Sequence, residues 1–245
     1  TIALNGTNDT LVLLGAEYQN TGGFTFINDG TLQLKGANNK GILVKSGHNY
    51  LSSEILLNQP MEISGNNSVG VGFLGYAELE GGKAYNDGKS ANNAVIPLLT
   101  TSRESVLNVD LKDNEKSTAL YFNNNGSTPF VLNNFNLTST NGTKNTLVYV
   151  EDGVVNLNAT TAGKIEIKDG KNNVGIYTKA SDAFTNKGTI SIVNSDSSVG
   201  IYAKSSGTVT NTGAITASGK SVKAVVADGS TVTSSGKIDV TGTAL

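Results

Sequence analysis

The residues able to do acid–base chemistry are few and scattered. His48 is the only histidine and Arg103 the only arginine among 245 residues. The tightest acidic group is Asp110, Asp113 and Glu115, interleaved with Lys112 and Lys116. A glycosidase needs two carboxylates about 5–10 Å apart, and a calcium-dependent lyase needs clustered aspartates with a basic residue to take the proton. Carboxylates interleaved with lysines are typical of a solvated turn, so we expect no catalytic residue and no enzymatic activity.

Metal and nucleophile motifs are also missing. The chain has no cysteine, which excludes disulfides and thiolate metal ligands. The calcium-binding GGxGxD repeat does not occur, since Gly81-Gly82 is followed by Lys-Ala-Tyr. No GxSxG motif occurs, and a serine triad would depend on the single histidine. We therefore expect no metal site and no cofactor.

Charge and hydropathy exclude two classes of partner. The net charge is -2 and the 18 basic residues are scattered, without the basic stripe that tracks nucleic acid. No run approaches 18 apolar residues, and the first residues lack a basic segment followed by an apolar one. We expect neither nucleic-acid binding nor membrane insertion by this segment.

The elements that must position these residues repeat along the chain. The stretch VGIYTKASDAFTNKGTISI, Val174 to Ile192, returns as VGIYAKSSGTVTNTGAITA at Val199 to Ala217 and in blurred form at Val222 to Val240. Short alternating runs of Val, Ile, Leu, Thr, Phe and Tyr between Asn/Gly/Ser clusters are strand signatures separated by turns. A fixed period of this length indicates units that must stack to bury their apolar faces.

An apolar pair after a glycine turn marks each unit. The pairs are Leu32/Leu34, Met61/Ile63, Leu107/Val109, Phe135/Leu137, Ile165/Ile167, Ile190/Ile192, Ile215/Ala217 and Ile238/Val240, with steps of 29, 46, 28, 30, 25, 25 and 23 residues. Strands that repeat at this spacing fit the coils of a parallel β-helix. The sequence therefore predicts an all-β, single-stranded parallel β-helix of about eight coils.

Strand alternation then assigns side chains to the two faces of one sheet. The inward column is predicted to be Ile42, Val71, Leu120, Val148, Ile176, Ile201 and Ala224. The outward column is predicted to be Leu43, Gly72, Tyr121, Tyr149, Tyr177, Tyr202 and Val225. Four tyrosines would thus stack at intervals of about 4.8 Å. Such a stripe suits sugar rings or protein partners, and it equally suits plain stabilisation of the sheet.

Asparagines that precede the glycine turns form a second candidate column. Asn186, Asn211 and the equivalent Asn28 could bond along the axis as a ladder. Their frequency in turns is an alternative explanation.

One step is longer than its neighbours by about 18 residues. The excess lies at residues 74–104, which predict a loop inserted into the solenoid. Insertions of this kind often carry a binding surface, although a solvated excursion without a role is the alternative. The candidate partner-binding residues of this loop are Tyr76, Glu78, Glu80, Tyr85 and Arg103.

The phrases NKGTISI, NTGAITA and SVGIYAKSSGTVTN, in a cysteine-free chain rich in Asn, Gly, Ser and Thr, resemble the passenger region of type V (classical) autotransporters. The likeness is to large fusobacterial outer-membrane adhesins. It implies a right-handed β-helix at the bacterial surface, with residues 1–245 as one segment of a longer passenger that an outer-membrane translocator anchors or that is secreted. It carries over no functional residue.

The expected function is therefore non-catalytic attachment to a protein or glycan receptor on host or other bacterial cells. A self-associating structural stalk or spacer is the first alternative. A polysaccharide-degrading β-helix enzyme is the second.

Overall fold

The computed structural model describes residues 1–15, 25–45, 54–74, 106–123, 130–160, 162–204 and 207–243. Every regular element among these residues is a β-strand, and every pairing between strands is parallel. The chain visits three faces in turn and returns to the first, so each strand pairs with its equivalent one coil away. The predicted right-handed parallel β-helix is confirmed.

The first sheet is the longest, with nine strands. They are β1 (Ile2–Leu4), β4 (Leu32–Leu34), β7 (Met61–Ile63), β9 (Leu107–Lys112), β12 (Phe135–Thr140), β15 (Gly163–Lys168), β18 (Thr189–Asp196), β21 (Ile215–Lys220) and β24 (Ile238–Thr243). The number of coils differs slightly from the expected eight, because β1 extends the stack beyond Leu32.

The second sheet has eight strands and carries the tyrosines. They are β2 (Thr10–Gly15), β5 (Lys40–Lys45), β8 (Val69–Leu74), β10 (Thr118–Asn123), β13 (Thr146–Asp152), β16 (Val174–Thr178), β19 (Val199–Lys204) and β22 (Lys223–Asp228).

The third face holds shorter strands in two groups. Five of them form one sheet: β11 (Phe130–Leu132), β14 (Val155–Leu157), β17 (Phe184–Asn186), β20 (Thr208–Asn211) and β23 (Thr231–Ser234). The other two, β3 (Thr25–Asn28) and β6 (Glu54–Leu57), pair with each other.

The core runs along the axis between these faces as stacked aliphatic columns. The predicted inward column from Ile42 to Ile201 is in register from coil to coil, and all its members are buried. Phe73, Phe122 and Phe130 form an aromatic cluster inside it, with ring centroids 4.4–4.9 Å apart. Because each apolar residue packs on its equivalents above and below, the coils have little stability apart from one another.

The last member of both predicted columns is wrong by one residue. Ile201 pairs with Val225 rather than Ala224, and Tyr202 pairs with Val226 rather than Val225. The step here is 24 residues, whereas it is 25 from Ile190 to Ile215 and 23 from Val209 to Val232. The last coil is two residues shorter than the 25-residue coils before it, and it loses one residue at each of two corners. An alignment with one uniform step of 23 residues does not show this.

Two of the predicted first-sheet pairs are displaced by two residues. Met61 pairs with Val109 rather than Leu107, and Leu137 rather than Phe135 pairs with Ile165. A displacement of two residues keeps every side chain on the same face, so the predicted buried residues are nonetheless buried.

The long step does not interrupt the stack. β8 pairs directly with β10, with Val71 opposite Leu120. Of the predicted loop 74–104, Leu74 is the last residue of β8, and the rest lies outside the described residues.

The predicted asparagine ladder is confirmed for two of its three members. The side-chain amide of Asn186 donates to Asn211 Oδ1 (2.8 Å), and that of Asn211 donates to Ser234 Oγ (3.0 Å). Asn28 does not take part, because its neighbour in the next coil is Leu57.

A longer polar ladder, which the sequence analysis did not identify, precedes the strands of the second sheet. In it the backbone N–H of each residue donates to the side-chain oxygen of its equivalent in the next coil, over distances of 2.8–3.2 Å. The members are Asn39, Ser68, Ser117, Asn145, Asn173 and Ser198, all at most 1% exposed. This column, hereafter the Ser/Asn ladder, satisfies buried backbone groups at one corner of every coil from Asn39 to Ser198.

Candidate functional site

Four tyrosines stack on the outward face of the second sheet. Tyr121, Tyr149, Tyr177 and Tyr202 are in register on β10, β13, β16 and β19. Their ring centroids are 5.5, 5.0 and 5.5 Å apart in chain order, with interplanar angles of 29°, 26° and 22°. The predicted stacking is confirmed, and we call these four residues the tyrosine ladder.

The stacking decides which part of each ring is available to a partner. Tyr149 and Tyr177 each have a tyrosine ring on both sides, so their faces are turned towards neighbours. Sugar rings pack on the faces of aromatic side chains, whereas this ladder presents ring edges and hydroxyls to solvent. The geometry favours stabilisation of the sheet over the predicted sugar-stacking role.

The outward column continues past both ends of the ladder. Towards the N-terminus it contains Gly72, Leu43 and Leu13. A Cβ at Gly72 would lie 2.8 Å from Leu43 Cδ2, so the leucine side chain covers that position. Leu13 is 60% exposed. An apolar stripe thus lies in line with the ladder.

Charged side chains border the middle of the ladder. The Tyr149 hydroxyl is hydrogen-bonded to Glu151, whose Oε1 also lies 2.5 Å from Lys179 Nζ. Burial, followed by the hydrogen bond to Glu151, raises the pKa of Tyr149 well above its usual range. The hydrogen bond to Glu151 likewise raises the pKa of Lys179. At neutral pH the phenol of Tyr149 therefore stays protonated.

The two end tyrosines have different polar neighbours. The Tyr202 hydroxyl donates to Asp228 Oδ2 over 3.1 Å, and this hydrogen bond is the main cause that raises the pKa of Tyr202. The side-chain amide of Asn123 donates to the Tyr121 hydroxyl at 3.4 Å. The edge of the ladder therefore offers hydroxyls already engaged by acceptors at two coils and by a donor at a third.

The other predicted partner-binding residues cannot be placed beside the ladder. Tyr76, Glu78, Glu80, Tyr85 and Arg103 all lie outside the described residues. Their predicted role stays a prediction.

The acidic residues fall into two groups. Asp113 accepts a hydrogen bond from Asn141 (3.0 Å), and Glu115 lies 3.4 Å from Lys116, as expected of a solvated turn. Asp110 instead pairs with Glu62 on the neighbouring strand, which brings two carboxylates to one outward column. The sequence did not indicate this pair, because the register predicted here is displaced by two residues.

The described residues contain no group of three or more His, Cys, Asp or Glu side chains that could hold a metal ion. None of these residues forms a helix long and apolar enough to cross a lipid bilayer. Comparison with protein-family models, with curated proteins and with solved structures finds no match to this chain.

Proposed function

We propose that this chain is a non-catalytic adhesin segment from the passenger region of a bacterial autotransporter, displayed at the cell surface or secreted. The observation that carries the proposal is the unbroken parallel stack, whose first sheet has nine strands in succession. Nine strands at about 4.8 Å make a rod about 38 Å long. Such a rod holds side chains at fixed spacing away from a membrane, which is what a surface stalk requires. The sequence resemblance supports the same class.

Attachment would use two surfaces of the rod. One is the tyrosine ladder, through its hydroxyls and ring edges. The other is the chain segment between β8 and β9, which contains Tyr76, Glu78, Glu80, Tyr85 and Arg103. The partner would be a protein or glycan receptor on host or bacterial cells.

Binding of the purified chain to immobilised glycans, host cells and bacterial cells tests the proposal. One variant replaces all four ladder tyrosines with phenylalanine, which removes the hydroxyls and keeps the rings. Another replaces Tyr76, Tyr85 and Arg103 with serine. We expect one of the two variants to lose binding while both keep the circular dichroism of the native chain. If the native chain binds none of these surfaces, its proposed adhesive role is wrong.

A rigid spacer or self-associating stalk is the second candidate, and the covered tyrosine faces favour it. Tyrosine rings whose faces pack against one another stabilise the sheet and leave less ring surface for a ligand. Analytical ultracentrifugation of the native chain and of the Tyr177→Ser, Tyr202→Ser double variant tests self-association. Dimers of the native chain that are absent in the double variant would support the self-associating stalk. A native chain that is monomeric at all concentrations would support the rigid spacer instead.

We also propose that the chain does not catalyse polysaccharide cleavage. Glu62 and Asp110 provide the strictest test of this proposal, since a glycosidase needs a pair of neighbouring carboxylates for catalysis. We expect no turnover of a polysaccharide panel. Turnover that disappears in Glu62→Gln would overturn this.

A further inference from the structure

We propose that the tyrosine ladder is an oxidative cross-linking site, at which one-electron oxidation joins tyrosines of adjacent coils through carbon–carbon dityrosine bonds. The oxidant is hydrogen peroxide activated by a haem peroxidase. Cross-linking would take place on the same ladder that the proposed attachment uses, but it is a different reaction and does not depend on the adhesin proposal.

Composition directs oxidation to tyrosine. Thiols, thioethers and indoles are the side chains that usually react first with oxidants. The chain has no cysteine and no tryptophan, and its single methionine, Met61, is 0% exposed. Susceptibility to oxidation follows exposure. The half-buried ladder tyrosines are therefore the most accessible readily oxidised side chains that the structure describes.

The ladder also holds reactive rings next to one another. Centroid separations of 5.0–5.5 Å place neighbouring rings in direct contact. The parallel pairing of β10, β13, β16 and β19 fixes this arrangement. A tyrosyl radical formed on one ladder ring thus lies beside the ring of a second tyrosine, with which it can couple.

Carboxylates accept the hydroxyl protons of Tyr149 and Tyr202. Loss of an electron makes a phenol strongly acidic, so oxidation is easiest where a base already accepts the hydroxyl proton. Glu151 is hydrogen-bonded to the Tyr149 hydroxyl, and Asp228 accepts from the Tyr202 hydroxyl at 3.1 Å. Oxidation at Tyr149 and at Tyr202 is accordingly favoured, and Tyr177 lies between them.

The reaction balances with one molecule of peroxide for each cross-link. Each of two tyrosines loses one electron and its phenolic proton. The peroxide takes up the two electrons and the two protons and forms two molecules of water. The two radicals couple at ring carbons next to the C–O bonds. The hydrogens on those carbons then move to the oxygens and restore two phenols. The joined pair has lost two hydrogen atoms in total.

Peptide mapping after peroxidase treatment tests the proposal, because trypsin places each ladder tyrosine on its own peptide. The peptides that contain the ladder tyrosines are residues 117–144, 145–164, 172–179 and 188–204. None of the other four tyrosines lies on any of these four peptides. The folded chain, diluted to suppress intermolecular coupling, is treated with peroxide and peroxidase. We expect dityrosine fluorescence and linked pairs of neighbouring ladder peptides, most abundantly 145–164 with 172–179, where the rings are closest.

Three controls make the outcome decisive. In Tyr177→Phe, links to peptide 172–179 should be lost while the link between 117–144 and 145–164 persists. In urea, the preference for neighbouring ladder peptides should be lost. In Glu151→Gln, the Tyr149 links should fall relative to the Tyr177–Tyr202 link. Absence of ladder links in the folded chain, or the same distribution of links in urea, would overturn the proposal, and unchanged Tyr149 links in Glu151→Gln would overturn the role of the carboxylate.

Discussion

Replacement of Asn145 by alanine should destabilise the chain through the Ser/Asn ladder. Asn145 is 0% exposed, and its Oδ1 accepts from the backbone N–H of Ser117 (2.9 Å). Its amide donates to Asn114 Oδ1 (2.7 Å) and to Ser139 Oγ (3.2 Å). Truncation therefore removes one acceptor and one donor from a site that water does not reach in the native chain.

Three buried groups lose a hydrogen bond in this variant, namely the Ser117 N–H, Asn114 Oδ1 and Ser139 Oγ, and the first two carry most of the cost. The Ser117 N–H and the Asn114 Oδ1 each carry a desolvation cost of about 1–3 kcal/mol when unsatisfied, which gives about 2–6 kcal/mol for both. The space left by the amide group is polar and holds about one water, which restores part of this loss. We expect a reduction of about 3 kcal/mol in the free energy of unfolding.

Urea unfolding measures the total effect, and hydrogen exchange at the Ser117 amide measures it locally. The control is Asn156→Ala on β14, a half-buried asparagine of the third sheet, with an expected change within about 0.5 kcal/mol. If Asn145→Ala and Asn156→Ala have equal stability, or if the Ser117 amide keeps its native protection, the ladder does not stabilise the coils as argued.

Other substitutions probe the core, the turns and the tyrosine ladder. Thr178→Val should raise the free energy of unfolding by about 1 kcal/mol, because Thr178 Oγ1 is buried without a hydrogen-bond partner; no gain in urea unfolding would show that the hydroxyl is satisfied. Gly213→Ala should cost at least about 3 kcal/mol in the same measurement, since a Cβ there would lie 1.8 Å from the Gly188 carbonyl oxygen; near-native stability would contradict this. The pKa of Tyr149 is raised above its unfolded value of about 10, so its contribution to stability is full below about pH 10 and is lost as the pH rises further. Tyr149→Phe should therefore lessen the alkaline loss of stability in unfolding experiments at a series of pH values, and an unchanged slope would refute the assignment.

The fold could be predicted because inward and outward side chains alternate along most of each strand. From Ile42 to Ile201 an apolar residue recurs wherever the second sheet turns inward, and the adjacent outward position gave the tyrosine ladder directly. Register was harder to predict. Leu107 and Val109 are both apolar and both face inward, so the sequence alone does not distinguish which one lies opposite Met61.

Polar stacking was harder to predict than apolar stacking for a chemical reason. Serine and asparagine are common in turns whether or not they form hydrogen bonds along the axis. Composition alone therefore did not indicate the Ser/Asn ladder, to which Asn173 and Ser198 belong. A periodic signal was nevertheless present, because a Ser or Asn stands immediately before each second-sheet strand from β5 to β19. The covered faces of the tyrosine rings depend on side-chain rotation, which strand alternation does not determine.

The direction of the backbone hydrogen bonds has a mechanical consequence. In this stack the strands run across the axis, so the bonds between coils lie along it. Tension between the two ends of the stack therefore breaks the hydrogen bonds of one coil interface at a time. It does not shear the bonds of many interfaces together. Each coil that yields releases roughly 25 residues, or about 85 Å of extended chain. A cell tethered through such a rod would experience a series of small extensions under flow instead of one abrupt rupture.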